Sequence, residues 1–183
     1  MTDFAGHVSR RFAEIVRYYR KFYAELNNSG AEPYRMTRLG AWAASRAPHV
    51  FYFLKTCNLA QYRLFLDLGS GDGIVTCIAG LFTRSIGIEI DPQLSAIAGA
   101  AARRLKLAGR VEFVCGDHRD HRIDQADCLY LYPDKPFDAI ADRLGGWSGT
   151  VIVYGPHFRP ESLTPRLTRR CGREQIVLYG SPQ

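Results

Sequence analysis

Residues 64–73 read Leu-Phe-Leu-Asp-Leu-Gly-Ser-Gly-Asp-Gly. An apolar run that closes on an acid and then places a glycine at every second position cannot continue as regular helix or strand. It reads as a buried strand turning sharply into a ligand-binding loop. A dinucleotide loop would need G-x-G-x-x-G. Counting from Gly69 gives Gly71 and then Ile74 where the third glycine should fall, with Gly73 one place early, which weakens a hydride-transfer reading.

The segments that follow repeat one unit, a short apolar strand ending at a polar turn. Ser85 to Ile90 ends in Glu89-Ile90-Asp91-Pro92, about twenty residues beyond the glycine turn, where open α/β sheets place a carboxylate to accept both ribose hydroxyls. Val111 to Cys115 stops at Gly116-Asp117-His118. Ala126 to Pro133 carries a strand over Cys128 to Tyr132, and Thr150 to Tyr154 is the fifth. Helices are expected over Ile74 to Phe82 and Pro92 to Leu107, the second ending in Arg103, Arg104 and Lys106 where the helix dipole favours cations. Pro156, Pro160 and Pro165 leave little room for a further helix, and Arg166 to Arg170 with Glu174 to Tyr179 read as an antiparallel pair around a Cys-Gly turn. The expected fold is α/β: a doubly wound, Rossmann-like, mostly parallel sheet with a C-terminal antiparallel hairpin, preceded by an N-terminal helical extension. Residues 1–183 form one domain, with 1–60 as extension and lid and 61–183 as the ligand-binding core.

Asp67-x-Gly69-x-Gly71-x-Gly73, with Gly87-Ile88-Glu89 and the Gly116-Asp117-His118 turn behind it, resembles the motif set of the class I, seven-strand S-adenosylmethionine methyltransferases. Within them it is similar to the small archaeal and mitochondrial protein-lysine methyltransferases, which share Asp-Leu-Gly-Ser-Gly-Asp-Gly and Gly-Ile-Glu and end in such a hairpin. The resemblance runs by motif order from about Arg35 to Tyr179. It implies S-adenosyl-L-methionine as cofactor, whose sulfonium is helped rather than repelled by nearby carboxylates. Gly69, Ser70, Gly71 and Gly73 would pass under its methionine part, with Asp67 ordering the loop. Glu89 and Ile90 would hold the ribose. Asp117 would accept from the adenine amine while the backbone N–H of His118 faces the ring. Tyr34, Thr37 and Trp42 would belong to a lid.

Tyr130 and Tyr132 share one face of the fourth strand and would meet the transferred methyl as catalytic candidates, or serve as aromatic strand packing. The fourth motif reads Leu131-Tyr132-Pro133-Asp134, unlike the [Asn/Asp/Ser]-Pro-Pro-[Tyr/Phe] with which enzymes methylating exocyclic base amines hold a flipped base. The resemblance to the protein-lysine branch implies methyl transfer to a protein lysine as the expected activity. The alternatives are an RNA or small-molecule methyltransferase, and a non-catalytic S-adenosylmethionine-binding protein with a partner-binding N-terminal helix.

Net charge is +6, and all of it resides before Leu64: ten Lys/Arg face four Asp/Glu there, and the remaining fourteen of each cancel. The same segment holds twelve of the 22 aromatic residues. Phe4, Val8, Phe12, Ile15, Tyr19, Phe22 and Leu26 recur at steps of three and four, forming one apolar helical stripe with Arg10, Arg17, Arg20 and Lys21 on other faces. Such a stripe docks on its own domain or offers a surface to a partner; the acceptor is expected to be a protein, with nucleic acid as the alternative for the basic segment. The five cysteines form an odd set without a C-x-x-C pair and read as reduced packing residues. His118 and His121 lack a second pair of ligands nearby, so no metal is expected. No apolar run reaches the ~18 residues that span a bilayer, and with no secretory core at the N-terminus a cytoplasmic location is expected.

Overall fold

The computed structural model describes residues 4–37, 40–136, 140 and 142–180, without the side chains of Phe4, Arg35 and Thr37. The first sixty residues are not purely helical. Helix α1 (Phe4–Asn28) leads into an antiparallel hairpin of β1 (Tyr34–Thr37) and β2 (Gly40–Ala43), and then helix α2 (Ala47–Thr56). The core alternates β3 (Leu64–Leu68), α3 (Ile74–Ala79), β4 (Arg84–Glu89), α4 (Pro92–Arg104) and β5 (Val111–Cys115), followed by β6 (Cys128–Leu131), β7 (Thr150–Tyr154), β8 (Thr164–Cys171) and β9 (Glu174–Gly180).

The seven core strands lie in the order β5-β4-β3-β6-β7-β9-β8. The first five run parallel, while β9 runs antiparallel between β7 and β8. The chain winds outward from β3 through β4 to β5 and then restarts on the other side of β3 with β6. That switch point opens a crevice beyond the carboxyl ends of β3, β4 and β6, where open α/β sheets bind ligands. The expected terminal hairpin is present, with its second strand inside: Ile176–Tyr179 is buried throughout, whereas β8 alternates and carries Arg166 and Arg170 along an exposed edge, which discourages edge-to-edge pairing.

One face of the sheet is covered by the helices. Phe65, Cys128, Tyr130, Ile152 and Ile176 meet Val50 and Phe53 of α2, Ile78 of α3, and Val8, Ile15 and Tyr19 of α1. The N-terminal stripe therefore docks on its own domain, and Arg10, Arg17, Arg20 and Lys21 are exposed. The opposite face buries Leu66, Leu129, Leu131, Val151 and Val153 beneath loops. Its described crossovers include short 3₁₀ turns at His118–Asp120, Ile123–Gln125 and Asp142–Leu144, and the helical residue Ile140 is buried against this face.

Several boundaries fall short of the sequence expectation. Helix α3 stops at Ala79 rather than Phe82, ahead of Gly80, where any side chain would collide with Val111. Helix α4, started by Asp91 accepting from Gln93 and Leu94 N–H and by Pro92, ends at Arg104 rather than Leu107 as the chain turns left-handed at Lys106 (φ 53°). Strand β4 ends at Glu89, before Ile90, and β6 ends at Leu131, before Tyr132-Pro133, where proline offers no donor to continue the ladder. Cys57, Cys77 and Cys128 are buried packing residues, but Cys115 is exposed. No helix among the described residues is long and apolar enough to cross a membrane.

Candidate active site

The glycine loop leaves β3 in a conformation that side chains resist: φ is 81° at Gly69, 57° at Gly71 and 85° at Gly73. It is tied to β4 from beneath, since the N–H groups of Gly69 and Ser70 both donate to the carbonyl of Ile88 (2.9 and 3.0 Å). Glu89 closes the turn, its Oε2 accepting from Gly71 N–H (2.7 Å) and its Oε1 from Asp91 N–H (2.8 Å). Above the loop lies the β2 residue Trp42, so near that a Cβ on Gly71 would sit 2.7 Å from the indole. Gly73 has a different use from the one expected. A Cβ there would meet Phe113 and Ala98, so its bareness lets α3 approach the sheet, and it does not line the cavity described next.

A cavity of about 770 Å³ opens at the switch point, within the range of small-molecule sites. It brings together Tyr34, Trp42, Asp67, Gly69, Ser70, Gly71, Glu89, Ile90, Asp117, His118, Tyr130 and Tyr132, residues drawn from five separate stretches of sequence. Thr37 closes β1, but its side chain lies outside the described residues. The walls are rich in carboxylates. Asp67 is buried and accepts from Thr76 Oγ1 (2.7 Å); burial pushes its carboxyl up to about 7, against the opposing pull of that hydrogen bond. Asp72, also buried, is raised to about 6 for the same leading reason.

The tyrosines of the fourth motif part company. Tyr130 is 2% exposed, its ring beside Phe65, and its hydroxyl has no hydrogen-bond partner among the described residues. Tyr132 is 50% exposed at the cavity mouth, its ring 4.9 Å from that of Tyr154. Burial raises both hydroxyls above the ordinary phenol range, so at neutral pH each is a donor rather than an ionised base. Asp117 reaches the cavity with its carboxylate already engaged: Arg119 donates from Nε (2.8 Å), Nη2 (2.5 Å) and its backbone N–H (2.9 Å). That pairing pulls the Asp117 carboxyl down to about 2.

Residues not singled out from the sequence complete the site. Asp134 accepts from Ala41 N–H (3.0 Å), fastening the hairpin to the loop after β6, and His157 and Phe158 join the cavity wall. Asp72 stands among the loop glycines but points away toward α1, where Tyr23 Oη donates to its Oδ2 (2.7 Å) and Tyr19 Oη to its carbonyl (2.9 Å). A lone aspartate between glycines carries no sign of that partnership.

Residues 44–126 match the family model of the histone methylation protein DOT1. No curated protein matches the chain. Among solved structures, an RNA methyltransferase of Salinibacter ruber in complex with S-adenosyl-L-homocysteine is similar at 24% identity and TM-score 0.64, over 77% of this chain and 95% of that one. A methyltransferase of Geobacter sulfurreducens superposes with TM-score 0.64 at 16% identity, over 92% and 89%. A mitomycin 7-O-methyltransferase does so with TM-score 0.62 at 16% identity, over 74% and 53%. Two of these names carry acceptors of different classes, RNA and a small molecule, on a similar fold. The chain has the seven-strand, class I methyltransferase fold.

Proposed function

We propose that the chain transfers a methyl group from S-adenosylmethionine to the amine of a protein lysine. The carrying observation is that one cavity at the sheet switch point gathers the acid-first glycine loop, Glu89, Asp117 and the β6 tyrosines. The residues present fit that cofactor. Gly69 has open space where a Cβ would stand, and Ser70 Oγ and Tyr130 Oη are buried polar atoms without a hydrogen-bond partner among the described residues. The surrounding carboxylates suit a cationic ligand and oppose a pyrophosphate. Asp67 orders the loop, Glu89 offers carboxylate lone pairs to the ribose hydroxyls, and Asp117 and the His118 N–H border the adenine.

When bound, S-adenosylmethionine supplies a methyl group made electrophilic by its sulfonium. The protein's part is then chiefly positioning, with water kept out. Trp42 and the hairpin cover the glycine loop. Tyr132 stands at the mouth with a protonated hydroxyl that can orient the incoming amine, and Tyr130 lines the wall behind it. A neutral lysine amine is the nucleophile, and the aromatic rings of Tyr132 and Phe158 at the cavity wall partly shield it from water.

The DOT1 match supports a protein acceptor, as does a fourth motif without the base-amine pattern. A second reading, RNA methylation, is favoured by the likeness to the Salinibacter enzyme and by the exposed arginines of α1. Incubation with methyl-labelled S-adenosylmethionine and host lysate separates them. The protein reading predicts label that protease removes and ribonuclease does not, recovered as methyl-lysine; label lost to ribonuclease would establish the other.

A further inference from the structure

Helix α1 is distant in sequence from every cofactor motif, yet it touches the glycine loop at one residue with two hydroxyls. Tyr23 Oη donates to Asp72 Oδ2 at 2.7 Å, and Tyr19 Oη, buried, donates to the Asp72 carbonyl at 2.9 Å. Tyr19 and Tyr23 are four residues apart, so both project from the face of α1 that packs on α3. Asp72 itself is 2% exposed, and its other oxygen accepts from Ile74 N–H (3.3 Å) at the start of α3. The hydroxyls thus hold both the main chain and the side chain of the residue between Gly71 and Gly73, whose φ values of 57° and 85° give the backbone little intrinsic preference for this conformation.

We infer that Tyr23, with Tyr19, is a positioning residue of the cofactor site, acting through Asp72 to hold the glycine loop in its binding conformation. The inference rests on the cofactor reading above. The loop is restrained on three other sides: Glu89 holds Gly71 from β4, Ile88 holds Gly69 and Ser70, and Trp42 lies over Gly71. Helix α1 reaches Asp72 from behind, at the junction where the loop becomes α3. Without the Tyr23 hydroxyl a buried carboxylate loses its strongest donor, and the cost falls on the loop as well as on α1. A loop that samples other conformations binds more weakly in proportion to the time it spends away from the competent one.

The test is Tyr23→Phe, which keeps the ring and its packing. Calorimetry with S-adenosylhomocysteine should show about tenfold weaker binding, while the melting temperature falls by only about 3–6 °C and the protein stays folded at the assay temperature. Amide hydrogen exchange in the ligand-free protein should quicken over residues 69–76 and not elsewhere in the sheet. Made on top of Asp72→Ala, which has no carboxylate to receive the hydroxyl, Tyr23→Phe should weaken binding no further. Unchanged affinity and unchanged loop exchange, or a second full loss in the Asp72→Ala background, would overturn the inference. If the unaltered protein binds neither S-adenosylhomocysteine nor S-adenosylmethionine, the cofactor reading fails instead, and loop exchange still decides whether Tyr23 holds the loop.

Discussion

At Glu89 a single carboxylate ends a strand and closes a loop, accepting one backbone N–H on each oxygen and keeping further lone pairs for a ligand. Glu89→Ala should therefore weaken S-adenosylhomocysteine binding by ~1.5–3 kcal/mol, the worth of charge-assisted hydrogen bonds, as read by calorimetry. Tyr132→Phe separates chemistry from packing. It should lower methyl transfer with little change in melting temperature or cofactor affinity, whereas full activity would leave Tyr132 as a surface aromatic packed at a tilt against Tyr154. Asp67 makes a pH prediction. Its folded carboxyl sits near 7 against about 3.9 in an unfolded chain. Between those values the unfolded state has released a proton that the folded state retains, so stability falls as pH rises through the window. Asp72, raised to about 6, has the same sign. Melting temperature should decline from pH 5 to pH 8, and Asp67→Asn should flatten that decline; a steeper decline would refute the assignment.

Among the elements, α1 had two readings from its sequence, and packing decides between them. The three-and-four spacing of Val8, Ile15 and Tyr19 identified the helix, but which surface the stripe would cover depends on tertiary placement that periodicity does not encode. It covers α3 and reaches Asp72. Removing residues 1–30 should therefore expose apolar surface and loosen the glycine loop together, giving an early-melting protein with weakened cofactor binding. The outer face still carries Arg10, Arg17, Arg20 and Lys21 in solvent. If it steers an anionic acceptor, changing all four to glutamine should raise KM for that acceptor and blunt its salt dependence without altering S-adenosylhomocysteine binding. The hairpin of β1 and β2 was less legible. Four-residue strands leave too short a pattern to distinguish from loop, and the Ala41–Asp134 bond that seats them spans 93 positions.

Taken whole, the parallel sheet was legible because its central strands are buried on both faces and so read as continuous apolar runs such as Leu-Phe-Leu and Val-Ile-Val, while the edge strand β5 exposes Glu112 and Cys115. The cavity was legible because strand ends and the loops after them supply nearly every wall. Gly73, Asp72, His157 and Phe158 were misplaced or missed because their use depends on neighbours from other elements: Phe113 and Ala98 behind Gly73, α1 behind Asp72, and the loop after β7 for the last two. We propose that this switch-point cavity, with its acid-first glycine loop, takes a sulfonium nucleoside and not a dinucleotide. Titration calorimetry of the full chain with S-adenosylmethionine, S-adenosylhomocysteine and NAD tests it most directly. Saturable one-to-one binding of the first two with no heat from NAD is expected, and tight NAD binding with no response to either adenosyl compound would overturn the assignment.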